Sequence, residues 1–146
     1  MEAGFGLRLV AFVLDSAIVG LIQGLVLLPA VLYWWSREIP RMASEAVSLP
    51  LVLSVALVPL ALLAGAAYHV LFWGVRGATP GKSLLGLAVQ TRDGDEPIGL
   101  ARASVRLFGY CVSGALLGVG FLMIATGEGG LHDRIAGTRV VRRERS

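Results

Sequence analysis

Residues 9–35, LVAFVLDSAIVGLIQGLVLLPAVLYWW, decide the fold. In this run only Asp15 and Gln23 are strongly polar. As a helix it would extend roughly 40 Å, against about 30 Å of bilayer hydrocarbon. It shows none of the polar–apolar alternation of a lipid-facing barrel strand. A helix is then the structure that satisfies its backbone in lipid. A second run, residues 47–73, contains no acidic or basic residue. Pro50 suits its first turn, and Pro59, deeper inside, predicts a kink. The first run is too long for a secretory signal, lacks a small-residue cleavage site and carries Asp15 within it, so a retained helix is expected.

Outward from these runs the composition agrees. Hydrophobic residues make up 55% of the chain, and mean hydropathy is +0.74. A third apolar region, residues 98–126, is interrupted by Gly109, Gly114, Gly118 and Gly120. The 13 basic residues, 12 of them Arg, are placed unevenly. In the 36–48 connection Arg37 and Arg41 are offset by Glu38 and Glu45; the other 11 lie in the N-terminus, the 74–106 stretch and the tail. The positive-inside rule assigns those three segments to the cytoplasm. Region 98–126 must then return to its starting side, as a broken or re-entrant element; a simple third crossing is the alternative. Residues 84–91 and 138–143 read as short strands that could pair in one compartment, with Asp93-Gly94 as a turn. The expectation is an all-α membrane protein with a small cytoplasmic β element, one domain over 1–146, with membrane regions near 9–35, 47–73 and 98–126. Trp34, Trp35 and Trp73 fall at segment ends, where interfacial rings are expected.

Asp15 is the most informative residue. A carboxylate at membrane depth costs at least ~2.5–3.5 kcal/mol and faces a bundle interior with a partner. Arg8 shares its helix face but lies about 10 Å away along the axis, so another segment must supply that partner. Arg102 and Arg106, four apart at the entry to the third region, are the predicted source, because a guanidinium fork matches a carboxylate. Such a pair would serve as a packing clasp, in cation or proton handling, or at a lipid headgroup. Ser16, Gly20 and Gly24, and again Gly114 and Gly118, allow close helix approach, within the monomer or between copies.

Other motifs exclude more than they assign. Gly77-Ala78-Thr79-Pro80-Gly81-Lys82-Ser83 is one residue short of a phosphate-binding loop, with Arg76 where Gly is required, so no nucleotide is expected. It reads as a turn with Lys82 facing headgroup phosphates. His132-Asp133 has no companion ligands to make a metal site. His69 reads as packed or interfacial. Cys111 is the one cysteine, which excludes an internal disulfide. No nucleophile–base arrangement is legible. We expect no enzyme activity, cofactor or nucleic-acid partner; the bilayer, a second copy or a larger membrane complex is the expected partner.

Three blocks in order resemble the RDD family of membrane proteins. They are Arg8-x-x-Ala11-x-x-x-Asp15; Phe72-Trp73-Gly74 with Gly77-x-Thr79-Pro80-Gly81-Lys82-x-x-x-Gly86-Leu87-x-Val89; and Leu131-His132-Asp133-Arg134-x-Ala136-Gly137-Thr138-x-Val140-Val141. The family's Arg and two Asp map to Arg8, Asp15 and Asp133, and Arg102 and Arg106 match its basic pair. The resemblance implies a small polytopic protein of the bacterial inner membrane with a cytoplasmic N-terminus. It also implies a transport-related role, sodium–proton antiport having been proposed for some members. The chain is short between Arg106 and His132, which leaves little helix to line a pathway. A non-catalytic accessory subunit of a larger complex is the competing expectation.

Overall fold

The computed structural model describes residues 3–37, 49–115, 123 and 129–143. In chain order the elements are α1 (Phe5–Arg37), α2 (Leu49–Arg76), α3 (Pro80–Leu84), β1 (Leu87–Thr91), α4 (Leu100–Ala115), α5 (Leu131–Ala136) and β2 (Thr138–Arg142). The first two helices are long and apolar enough to cross a membrane, over Phe5–Tyr33 and Val52–Arg76. Both expected helices are therefore present. The polar connection at 38–48 and most of the expected third membrane region beyond Ala115 lie outside the described residues.

The chain divides into two compact units, residues 17–67 and residues 1–16 with 68–146. In the 17–67 unit the two helices meet at Gln23, whose Nε2 donates to the Ala61 carbonyl at 3.3 Å. Gly65 makes room for this: a Cβ there would stand 2.9 Å from Gln23 Nε2. Leu21, Leu25, Val55 and Leu62 point outward, as a lipid-facing surface requires. Gly20 and Gly24 also face outward, and an added Cβ on either would meet no described residue within 4 Å. The expected packing of this stripe inside the monomer is thus not found among the described residues, since the close approach is made by Gly65 instead.

In the other unit, β1 and β2 pair antiparallel, with Leu87 opposite Arg142 and Thr91 opposite Thr138. The expected strands therefore do pair. Gly86 (φ +67°) turns α3 into β1, and Gly137 (φ +62°) turns α5 into β2; both need the left-handed region, where a Cβ is penalised. The N-terminal arm joins the ribbon, the Ala3 N–H donating to the Val140 carbonyl at 3.0 Å. Ala3, Trp73, Leu87, Val89, Ile98, Ala103 and Val140 share one apolar core. The N-terminus, the ribbon and the C-terminal strand therefore lie in one body.

Two helices in this unit carry polar groups on their inner face. On α1 the buried positions are Ala11 and Asp15, with Arg8 nearly buried, while Leu9, Val10, Phe12 and Val13 are exposed. On α4 the buried stripe is Ala103, Arg106, Gly109 and Ser113, while Val105 and Phe108 point out. Arg102 falls off that stripe and is exposed. The α4 stripe receives α5 at Gly109, where a Cβ would sit 2.8 Å from the Cα of His132.

Candidate functional site

Two carboxylates enter this interior from opposite ends of the sequence. Asp15 on α1 accepts four hydrogen bonds. Tyr68 Oη (3.0 Å) and the Gly81 N–H (2.8 Å) reach Oδ1, and Thr79 Oγ1 (2.5 Å) and Lys82 Nζ (3.5 Å) reach Oδ2. Three of these donors come from the start of α3. Thr79 is its N-cap residue, and Pro80 follows at the first helical position, where its missing N–H costs nothing. The Thr79 hydroxyl does not cap its own helix; it serves Asp15. In return the Asp15 carboxylate takes the Gly81 N–H, the task an N-cap side chain normally performs. Gly81 is required for the approach: a Cβ would lie 2.7 Å from both the Ala11 carbonyl oxygen and Asp15 Oδ1. Gly77 (φ +71°) ends α2, and its carbonyl accepts the Val89 N–H at 2.7 Å.

Asp133 on α5 is held between two arginines. Arg8 Nη1 donates to Oδ2 at 3.0 Å, and Arg106 Nη1 donates to Oδ1 and to Thr138 Oγ1. The Gly130 N–H and Thr138 Oγ1 each approach the carboxylate at 3.4 Å. Arg8 also reaches the carbonyls of Ala3 (2.8 Å) and Val140 (3.2 Å), tying α1 to the N-terminal arm and to β2.

This pairing corrects the sequence-based one. Asp15 does not meet Arg102 or Arg106. Its cation is Lys82, Arg106 belongs to Asp133, and Arg102 is exposed. The glycine-lined approach of α3 to α1 brings Lys82 inward, and the approach of α5 to Gly109 presents Asp133 to Arg106 first. Lys82 is likewise corrected: it is 6% exposed and faces Asp15 rather than headgroups.

Trp73 is a further correction. It is 1% exposed rather than interfacial. Its ring carries Lys82 Nζ at 5.5 Å and the Arg106 guanidinium carbon at 5.2 Å, so one indole ring serves cations of both clusters. It stacks on Tyr110 (5.4 Å), which stacks on His132 (3.8 Å). Arg106 Nε and Nη2 find no hydrogen-bond partner among the described residues; the aromatic faces of Trp73 and Tyr110 supply the stabilisation there instead. Tyr68, Trp73 and Tyr110 join the site beyond the residues expected from sequence. Tyr110 carried a signal, being four residues from Arg106 on the same helical face, and Trp73 lies in the second of the three blocks.

Burial pulls the Lys82 ammonium from 10.5 down to about 8, with Asp15 opposing the shift. Burial and then Arg106 push the His132 imidazole from 6.5 to about 3, so it is neutral at physiological pH. Its Nε2 lies 3.8 Å from Asp133 Oδ2 without forming an ion pair. Burial alone would raise the Asp133 carboxyl, but Arg106 and Arg8 outweigh it and hold it below its ordinary range. With His132 neutral, the two clusters bring together, among the described residues, the cations Arg8, Lys82 and Arg106 and the carboxylates Asp15 and Asp133. Beside Asp15 a cavity of about 120 Å³ is lined by His69, Trp73, Lys82 and Tyr110.

Two apolar helices of bilayer length, with acids and bases turned inward among them, define a membrane-type protein. Its buried groups give it a more particular place: the chain belongs to the RDD family, the match covering residues 2–137 and so including Arg8, Asp15 and Asp133. It is similar to an uncharacterized protein of Bacillus subtilis (strain 168), YxaI. The two are 33% identical over 147 residues, spanning 95% of this chain and 96% of that protein. No solved structure matches the chain.

Proposed function

We propose that this protein is a multi-pass inner-membrane protein that handles a proton or small cation at the Asp15–Lys82 pair. The observation that carries the reading is a buried carboxylate facing an ammonium that titrates near pH 8, both lining one small cavity. A cation arriving at Asp15 competes with Lys82 and favours loss of its proton, so cation binding and proton release are coupled by charge balance. Tyr68, Thr79 and the Gly81 N–H hold the carboxylate while its counter-charge changes. The N-terminus is cytoplasmic in this reading. The arm, the ribbon and the C-terminal strand form one body, and they carry the basic residues that favour the inner face. Region 98–126 then makes no net crossing.

A second reading, an accessory subunit or homo-oligomer, is favoured by one observation. The Gly20–Gly24 stripe faces outward with no described neighbour, the surface another helix would use. Reconstitution separates the two. Asp15→Asn in proteoliposomes should remain in the membrane yet lose cation-dependent proton movement across an imposed pH gradient. If the unmodified protein moves no protons with any alkali cation between pH 6 and 9, the transport reading fails. Co-purification of a stable larger assembly in mild detergent would then support the accessory role.

A further inference from the structure

Two residues that line the cavity of about 120 Å³ beside Asp15 carry hydrogen-bond donors with no acceptor among the described residues. One is Trp73, 1% exposed, whose indole N–H can only donate. Its Nε1 has no hydrogen-bond partner among those residues. The other is Lys82, 6% exposed, whose ammonium has three N–H donors. Its acceptors among the described residues are Asp15 Oδ2 and Thr79 Oγ1, each at 3.5 Å, which leaves one N–H over. Lys82 Nζ lies 5.5 Å from the centre of the Trp73 ring, so the two donors are neighbours.

A buried donor without an acceptor is costly, so an occupant of this cavity should bring a lone pair to both. Charge decides which occupant fits. An anion would meet the Asp15 carboxylate in the same lining. A cation would meet the Lys82 ammonium, and an indole N–H has no lone pair to ligate it. A neutral acceptor suits both donors, and the space limits it to a small one. A buried water needs about 10–15 Å³ and at least about two polar partners, and each water takes about 30 Å³ in the liquid. The cavity therefore has room for a short chain of them. We propose that this cavity holds ordered water, one molecule of which accepts hydrogen bonds from Trp73 Nε1 and Lys82 Nζ together. That molecule also takes the proton that Lys82 releases; this role rests on the transport reading above, whereas the water site does not. The Nζ–H bond breaks with its electron pair left on nitrogen. The proton joins the water oxygen, and that water passes one of its own protons to the next. Trp73 is then a positioning residue, whose N–H holds the water oxygen against Nζ.

The test uses the full chain in mild detergent with Trp73 in place. Trp34→Phe combined with Trp35→Phe leaves Trp73 as the one tryptophan. Ultraviolet resonance Raman spectra of that protein read the hydrogen bonding of the indole N–H directly. The band should stand at its hydrogen-bonded position, and a band at the free position overturns the proposal. An X-ray pulse on the unmodified protein generates hydroxyl radicals from bound water as well as bulk water. Corrected for intrinsic reactivity, Trp73 should be labelled several-fold faster than Leu87 and Val89, which are as deeply buried in the same unit. Labelling as slow as theirs overturns the proposal even with a bonded Raman band, because the acceptor would then be protein. In proteoliposomes Trp73→Phe keeps an aromatic ring beside Lys82 and lacks the N–H. It should slow cation-coupled proton movement about tenfold, the worth of one well-placed hydrogen bond, with the cation concentration for half-maximal rate unchanged. An unchanged rate overturns the positioning role. If the unmodified protein moves no protons, the transport reading falls, while the Raman band and the labelling still decide the water site.

Discussion

Replacing Asp133 with Asn tests the logic of the buried clasp most directly. The substitution keeps the shape of the side chain and removes the carboxylate that Arg8 and Arg106 share. Both guanidiniums then lose the anion that they share. Removing one partner of a buried pair typically costs about 3–5 kcal/mol, and the loss of a carboxylate bound by two guanidiniums places Asp133→Asn at the upper end. A second substitution, Arg8→Met, should be partly compensating in that background. Alone it removes the hydrogen bonds that Arg8 gives to Asp133, Ala3 and Val140. Combined with Asp133→Asn it also removes one of the two charges that had shared that carboxylate. The double variant should therefore be more stable than the sum of the singles by about 2–3 kcal/mol, the upper range of coupling between contacting residues. Equilibrium unfolding of the four proteins in mild detergent measures the cycle. Strict additivity, or a cost below about 1 kcal/mol for Asp133→Asn, would refute the claim that this acid holds the two arginines.

Gly81→Ala places a methyl 2.7 Å from a backbone oxygen that cannot rotate away, and from Asp15 itself. Overpacking of about 1–3 kcal/mol plus a weakened N–H bond to a carboxylate should lower the unfolding midpoint markedly. Gly20→Ala, with no described neighbour, should leave the stability of the isolated monomer unchanged; disruption of an assembly by this variant would reveal a partner on the stripe. His132 takes up its proton near pH 3 in the folded state but near 6.5 when unfolded, so the unfolded chain binds more protons between those values. Stability should thus fall as pH drops from 6.5, by up to ~1.4 kcal/mol per unit, and His132→Gln should flatten that limb in pH-resolved unfolding. Lys82 binds its proton less well folded than unfolded, so its contribution should rise as pH climbs from about 8 to 10.5. Lys82→Met should lack this rise in the same measurement.

Much of this protein is local, and the sequence by itself determined that part. Lipid-length apolar runs specify α1 and α2, because a backbone in hydrocarbon has few other ways to satisfy its hydrogen bonds. Residues 84–91 and 138–143 contained the strands because their short apolar runs are set off by Gly86 and Gly137. The blocks carrying Arg8, Asp15 and Asp133 were enough to point to the family. Which acid meets which base was decided only by the tertiary structure. Periodicity assigns a side chain to a face and says nothing about which segment arrives there. That depends on Gly81 and Gly109, where a missing side chain lets α3 reach α1 and α5 reach α4. Those two approaches hand Lys82 to Asp15 and Asp133 to Arg106, and they enclose Trp73 between the clusters instead of leaving it at the membrane edge.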